Sequence, residues 1–302
     1  MTKKFRRIIF FVFTAFFAAG SFVAVFYAEG YRFDLPLFKI EKVGGIFIKT
    51  SVDGAKIYIN DKYISSTGGI LTYSALISDL VPKNYSVFIY KENYYPWNKT
   101  IRVESGMVAN LDKIILFPLE LKQTKIAALP ASQKISEFDI NGDSGAVEIK
   151  VAAGKIDNIF VYNPADGKFV SSGKIKKATS PSTILSPDKN KNLYVSDGKI
   201  FVEYLNDTDE KPVKKAGTKE LIADAGAPVE FYEWLGDSEH IIWFSDGEIS
   251  VAELNNGGGK RNSVKFYLGI DPPFFWNRAN SELYYFKKES GKNALYAVDF
   301  RS

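Results

Sequence analysis

Apolar positions along this chain follow three different patterns, and each predicts a different kind of element. From Ile8 to Ala28 the pattern is unbroken: twenty-one residues without a charge or a proline. At 1.5 Å rise per residue a helix of that length spans about 31 Å, close to the hydrocarbon thickness of a bilayer. From Glu29 to Val43 no period is sustained, and Gly30 and Pro36 interrupt the run. That segment, 29–43, reads as a stalk: a short linker or a first edge strand. From Gly44 onward the period is two, the signature of half-buried strands.

Strand signals come first between Gly44 and Pro118. Ile46-Phe47-Ile48-Lys49, Lys56-Ile57-Tyr58-Ile59, Tyr85 to Tyr90, Thr100 to Val103 and Ala109 to Ile114 alternate or run apolar, with turn signals at Asp53-Gly54, Asn60-Asp61, Thr67-Gly68-Gly69 and Asn93 to Pro96. About six short strands in such a length predict a small antiparallel β-sandwich over 44–118. Beyond it, over 119–302, four segments share one layout: an apolar residue, a polar turn, a strand, a glycine turn and a second strand. They begin at Ile140, Leu185, Trp234 and Trp276, which are 45, 49 and 42 residues apart. Their glycine turns are Asp166-Gly167, Asp197-Gly198, Asp246-Gly247 and Ser290-Gly291. A period of 40–50 residues with several strands per unit is that of propeller blades. The last copy stops at Phe300 after its third strand. The expectation is that a strand within Ile114 to Leu129 pairs onto the last blade and closes the ring, covering two strand edges. An irregular β-sandwich of similar strand content is the alternative.

Charge then places the chain. The net charge is +4, and the first seven residues carry four Lys or Arg and no acid. Subtracting them leaves 35 basic against 35 acidic residues. The excess therefore belongs to a basic tail at 1–7, not to a nucleic-acid-binding surface. A basic flank keeps the N-terminus in the cytoplasm and predicts export of the bulk. The apolar run is longer than the core of a cleavable signal, and Phe26 stands two residues before Ala28, where a small residue would be needed. A retained transmembrane helix at 8–28 is the expectation. Cysteine is absent, which excludes disulfides and thiolate metal sites.

Two resemblances follow from these residues. Ile48 to Asn60, with Val52-Asp53-Gly54-Ala55 at its centre, resembles the opening of a PEGA domain. Gly54 and Ala55 match the family tetrapeptide, Asp53 is a fair substitute, and Val52 departs from proline. Leu80-Val81-Pro82-Lys83-Asn84-Tyr85-Ser86-Val87 echoes the family's later Leu-x-x-Gly-x-Tyr-x-Val strand, with Asn84 at the glycine. Asn93-Tyr94-Tyr95 fits the family's final element. The resemblance implies a non-enzymatic β module of an exported or surface protein, one that binds or packs against envelope components. Leu185-Ser186-Pro187-Asp188 and Trp234-Leu235-Gly236-Asp237 resemble the W-S-P-D-G opening of TolB-like and WD-type blades, though no copy keeps all five letters.

Candidate chemistry is sparse. Asp139 to Gly145 spaces carboxylates like a calcium loop, but Ser144 stands where glycine belongs and Lys150 where the bidentate Glu belongs. His240 is the single histidine. It lacks a second ligand for a metal site and a Gly-x-Ser-x-Gly elbow for a triad. Gly257-Gly258-Gly259-Lys260 lacks the phosphate-loop spacing and reads as a hairpin tip. Thr50, Ser51 and Asp53 read as a hydrogen-bonded turn. Asn84, Asn98 and Asn206 open sequons. No cofactor or catalytic residue is expected.

The expectation is an all-β extracytoplasmic region behind one N-terminal transmembrane helix: a small antiparallel β-sandwich followed by a small, about four-bladed β-propeller-like domain. It would be a non-enzymatic, membrane-anchored cell-envelope binding or structural protein. Its partners would be the lipid bilayer, through residues 8–28, and an envelope protein or glycan. The aromatic clusters Tyr94, Tyr95, Trp97 and Phe274, Phe275, Trp276 are the candidate contact surface; a core role is the competing reading, since alternate strand residues must be buried. The alternative function is an envelope glycan hydrolase with carboxylates at the propeller axis.

Overall fold

The structure is a computed structural model that describes residues 3–34, 38–69, 72–128, 134–140, 147–153, 156–163, 168–171, 183–208, 213–270, 274–277, 281–289 and 292–300. Helix α1 spans Lys3–Ala28 and buries no side chain against the protein. Its most apolar stretch has a mean hydropathy of 2.4. The helix ends where Glu29 N donates to Val25 O (2.9 Å) and Gly30 N to Tyr27 O (3.1 Å). Gly30 has φ +85°, a left-handed conformation that glycine adopts freely, and the turn it makes redirects the chain. Strands β1 (Tyr31–Asp34) and β2 (Lys39–Lys42) then pair as an antiparallel hairpin within the segment read as a stalk.

The chain divides into two compact units, residues 1–92 with 96–116, and 93–95 with 117–302. In the first unit β3 (Gly44–Thr50), β4 (Lys56–Ile59), β5 (Lys62–Ser66), β6 (Tyr73–Leu80), β7 (Asn84–Tyr90), β8 (Trp97–Arg102) and β9 (Val108–Ile114) build two sheets, ordered β6-β3-β9 and β5-β4-β7-β8. Period two is visible in burial. Ile57 and Ile59 on β4, and Tyr85, Val87 and Ile89 on β7, point inward with Ile46 and Ile48 of β3. Among the described residues of these two sheets the pairings are antiparallel except one: β3 and β9 run parallel. The chain crosses to the other sheet for β7 and β8, so it returns beside β3 in the same direction. β3 is the central strand, and a side chain at Gly44 would meet Glu104 O and Met107 O at 2.5 Å. Only glycine allows that approach.

The turn after β3 is held by two threonines. Thr50 Oγ1 donates to Val52 O (2.8 Å), and Ala55 N donates to Thr67 Oγ1 (3.0 Å). Gly54, at φ +65°, donates its N–H to Thr67 O (2.9 Å). Leu116 N donates to Ser51 Oγ (3.0 Å). Thr50 and Ser51 thus act as turn residues.

Among the described residues the second unit holds four four-stranded sheets. After β10 (Gln123–Ala128) come β11 (Lys134–Ile140), β12 (Val147–Ala153), β13 (Ile156–Asn163) and β14 (Lys168–Ser171), the first sheet. The second has β15 (Ile184–Leu185), β16 (Lys191–Ser196), β17 (Lys199–Tyr204) and β18 (Lys219–Asp224). The third has β19 (Val229–Trp234), β20 (His240–Ser245), β21 (Glu248–Glu253) and β22 (Ser263–Phe266). The last takes β23 (Phe274–Asn277), β24 (Glu282–Glu289) and β25 (Lys292–Asp299), and its fourth strand is β10, in the order β10-β25-β24-β23. The strand expected to pair onto the last copy does so, antiparallel, with Gln123 opposite Val298. Tyr285 Oη donates to Gln123 Oε1 (2.6 Å), and Lys125 pairs with Glu289.

Three of the repeat openings, Ile140, Leu185 and Trp234, are the last residue of a sheet's first strand, and Trp276 is next to last. Asp197-Gly198 and Asp246-Gly247 are two-residue hairpin turns with positive φ at both residues, the geometry that matches strand twist.

 The other two glycine turns, Asp166-Gly167 and Ser290-Gly291, lie outside the described residues. The glycine position of the W-S-P-D-G pattern is taken by Lys189 (φ +62°) and Ser238 (φ +59°), so the left-handed turn survives without its usual residue.

Candidate functional site

The structure scatters the six aromatic residues read as a contact surface. Trp97 is buried in the first unit, on the inward face of β8. Phe274 and Trp276 are buried in the second unit, on alternate positions of β23, and Phe275 between them is half-buried, its ring 6.4 Å from Tyr284. Tyr94 and Tyr95 are half-buried and belong to the second unit. There Tyr95 Oη donates to Lys265 O (3.2 Å) and its ring lies 5.6 Å from Phe266. Trp97, Phe274 and Trp276 therefore serve the cores and are withdrawn from the contact surface. The physical reason is the pleat: alternate residues of a strand face opposite ways.

Trp276 has a further task. Its Nε1 donates to Trp234 O (2.8 Å), and Trp234 Nε1 donates to Ile184 O (2.8 Å). The indoles opening the last two repeats thus each reach the first strand of the preceding sheet. Trp234 is fully buried in a cluster with Leu193, Ile200, Val202, Ile241 and Leu254, drawn from two successive sheets.

An accessible aromatic row does exist, on the outer face of the first unit's four-stranded sheet. Tyr58 on β4 stands opposite Tyr63 of β5 on one side and Phe88 of β7 on the other. Ring centroids are 5.7 Å apart for Tyr58–Tyr63 and 5.9 Å for Tyr58–Phe88. Tyr90, two residues along β7, lies parallel to Phe88 at 6.5 Å. Tyr63 is 53% exposed and Tyr90 39%. Lys56 pairs across from Tyr90, and Asn98 across from Phe88, so the row is bordered by polar groups. Tyr63 Oη is 3.1 Å from Ser66 Oγ. The sequence signal was present: Ile57, Ile59, Val87 and Ile89 claim the inward face, which leaves Tyr58, Phe88 and Tyr90 facing out.

Polar clusters in the second unit hold turns together. Asp237 Oδ1 accepts from Glu239 N and His240 N (both 3.0 Å), and Asp237 Oδ2 lies 2.5 Å from His240 Nδ1. Burial works against the Asp237 charge, but the histidine ring and the two amides outweigh it and hold the carboxyl below the usual aspartate range. His240 is buried, with its ring 6.3 Å from Phe117. The matching turn one sheet earlier uses Asp188, which accepts from Ser186 Oγ (2.5 Å) and Asn190 N (3.0 Å). Buried Lys191 ties the two turns together, donating to Asp188 Oδ2 (3.2 Å), Ser238 O (3.1 Å) and Glu239 Oε1 (2.8 Å). Among the described residues no group of three or more His, Cys, Asp and Glu is placed to hold a metal ion. The calcium-like stretch falls mostly on residues 141–146, outside the described residues. Gly257–Gly259 forms a short 3-10 turn between β21 and β22, as expected of a hairpin tip.

Comparison with known proteins adds to this. Residues 43–115 match the PEGA domain family. A search of curated proteins returned no match. Among solved structures, TolB from Acinetobacter baumannii is similar over 74% of this chain and 50% of its own, at 14% identity and a TM-score of 0.29. This chain thus spans about half of that protein's length. Kluyveromyces lactis Hsv2 is similar over 84% of this chain and 73% of its own, at 14% identity and a TM-score of 0.28. The Cps50 (Swd1) β-propeller domain of Myceliophteria thermophila is similar over 70% and 66%, at 10% identity and a TM-score of 0.27. The propeller-like description of the second unit rests on its own strand order and repeat.

Proposed function

We propose that this protein is a non-enzymatic binding component of a cell envelope, held in the membrane by α1 and displaying its two β units outside the cytoplasm. The basic residues before Ile8 and the neutral balance after it support that orientation. The observation that carries the binding role is the row Tyr63, Tyr58, Phe88 and Tyr90, exposed at Tyr63 and Tyr90 and half-buried at Tyr58 and Phe88. Aromatic side chains offer large contact area at little cost in conformational freedom, and an exposed apolar patch rimmed by polar groups marks an interaction site. The row of neighbouring rings, tilted to one another except for the parallel Phe88–Tyr90 pair, suits contact with sugar rings or an extended protein segment.

The test is sedimentation of the full-length protein, in detergent micelles, with isolated cell-wall material. The expected result is retention without release of sugars, lowered about tenfold by Tyr63→Ser with Tyr90→Ser, the loss of one central aromatic contact's worth of binding. Release of sugars would support the glycan-hydrolase alternative instead. Equal retention of the variant would remove the aromatic row from the binding role.

A further inference from the structure

We propose that the β1–β2 hairpin is a membrane-interface wedge, with Phe33, Phe38 and Ile40 seated among the lipid headgroups and upper acyl chains of the leaflet where α1 emerges. This rests on the reading of α1 as a retained membrane span.

Four observations converge. First, the hairpin exposes apolar side chains: Phe33 is 53% exposed, Phe38 80% and Ile40 60%. Second, they form one patch. Phe33 stands opposite Ile40 in the hairpin register, and the Phe33 and Phe38 rings lie 6.1 Å apart, edge to face. Third, the patch shares its face with Tyr31, two residues before Phe33, and the Tyr31 ring lies 5.2 Å from Phe26 of the helix. That face therefore touches the helix's last apolar turn through Tyr31. The opposite face carries Arg32, whose Nη2 donates to Asp79 Oδ1 on β6 at 2.5 Å. Fourth, the hairpin's root cannot move away from the helix end. Val43 N donates to Gly30 O (2.8 Å), Arg32 Nη1 donates to Tyr27 O (2.8 Å), and the Arg32 guanidinium lies 3.5 Å from the centre of the Tyr27 ring.

Distance makes the lipid the fitting occupant. β1 starts three residues after Ala28 and is four residues long, so at about 3.4 Å per residue its tip lies only about 10 Å from Tyr31. The polar layer of each leaflet is about 5–8 Å thick. A hairpin rooted there is at the depth where amphipathic segments bury their apolar faces. The Tyr27 and Tyr31 rings stand at the level of an interfacial aromatic belt.

The chain has no cysteine, so single substitutions can carry a fluorescent label. Phe38→Cys and Ile40→Cys would each be made in the full-length protein and reconstituted into phosphatidylethanolamine–phosphatidylglycerol vesicles. Phe16→Cys in the middle of α1 and Thr100→Cys on the exposed side of β8 serve as references. Quenching is read with aqueous iodide and with lipids carrying a shallow or a deep nitroxide. The wedge predicts strong quenching at residues 38 and 40 by the shallow nitroxide, and iodide quenching about tenfold below that at residue 100, as for a group in the headgroup layer. Iodide quenching equal to that at residue 100, with residue 16 quenched by the deep nitroxide, would overturn the wedge and leave the span intact. Protection from iodide without nitroxide quenching would mean a second copy or another protein surface covers the patch, and would also overturn it. Iodide access at residue 16 would overturn the span itself.

Discussion

Thr67→Val tests how the turn of the PEGA domain is held. The substitution keeps shape and removes one hydroxyl. In the structure that hydroxyl accepts from Ala55 N (3.0 Å), lies 3.2 Å from Thr50 Oγ1, and lies 3.3 Å from Val52 O. Val52 O keeps its second donor, Thr50 Oγ1 at 2.8 Å. The group left unpaired is the amide of Ala55, which is fully buried. Leaving a buried donor unsatisfied costs about 1–3 kcal/mol, so a loss of about 2 kcal/mol is expected. Since 1.4 kcal/mol is a factor of ten, amides of β4 and β7 that exchange only on opening of this unit should exchange about 30-fold faster. Hydrogen exchange read by mass spectrometry localises the effect to peptides of the first unit. Thr67→Ser, which retains the acceptor and loses one methyl, should cost about 1 kcal/mol. A Thr67→Val protein with unchanged exchange, or one less affected than Thr67→Ser, would refute the reasoning.

Other consequences are equally specific. Trp276→Phe removes the indole donor to Trp234 O and part of a buried ring; it should destabilise the second unit by about 2–4 kcal/mol in urea unfolding, and a neutral result would deny the sheet-to-sheet link. Asp237 and Asp188 both have folded-state carboxyls held below the ordinary aspartate range. A depressed carboxyl stabilises the fold above its unfolded pKa and loses that contribution as pH falls through the folded one. The second unit should therefore weaken below about pH 4, and Asp237→Asn should flatten that acid limb. Lys189→Gly relieves a left-handed turn residue in the second sheet; the expected gain is up to about 1 kcal/mol, and a loss would show that the Lys189 conformation carries no strain.

Periodicity carried much of this architecture. Alternation alone separates Ile57 and Ile59 from Tyr58, and the missing fourth strand of the last repeat pointed to a partner upstream, found at Gln123–Ala128. Strand direction was not legible: the β3–β9 parallel pair depends on where the chain crosses between sheets, and period two says nothing of that. Burial of Phe274 and Trp276 follows the competing core reading of these aromatics, and alternation alone left open which of Phe274, Phe275 and Trp276 it would claim, because an aromatic on a strand faces core or water according to which sheet packs on it. The hairpin at 31–42 escaped for a simpler reason. Its strands are four residues each, too short for a period to show. The left-handed turns at Lys189 and Ser238 had a signal, the glycine of the blade motif, which the substituted residues conceal.

The central claim is that a retained α1 holds two sheet-built units at a membrane. The most direct measurement is fractionation of cells making the full-length chain, combined with alkaline extraction of membranes and sequencing of the mature N-terminus. The account predicts a product that stays in the membrane pellet after extraction and still contains Ile8 to Ala28. A product recovered in the soluble cytosol, or one whose mature N-terminus lies beyond Ala28, would contradict it.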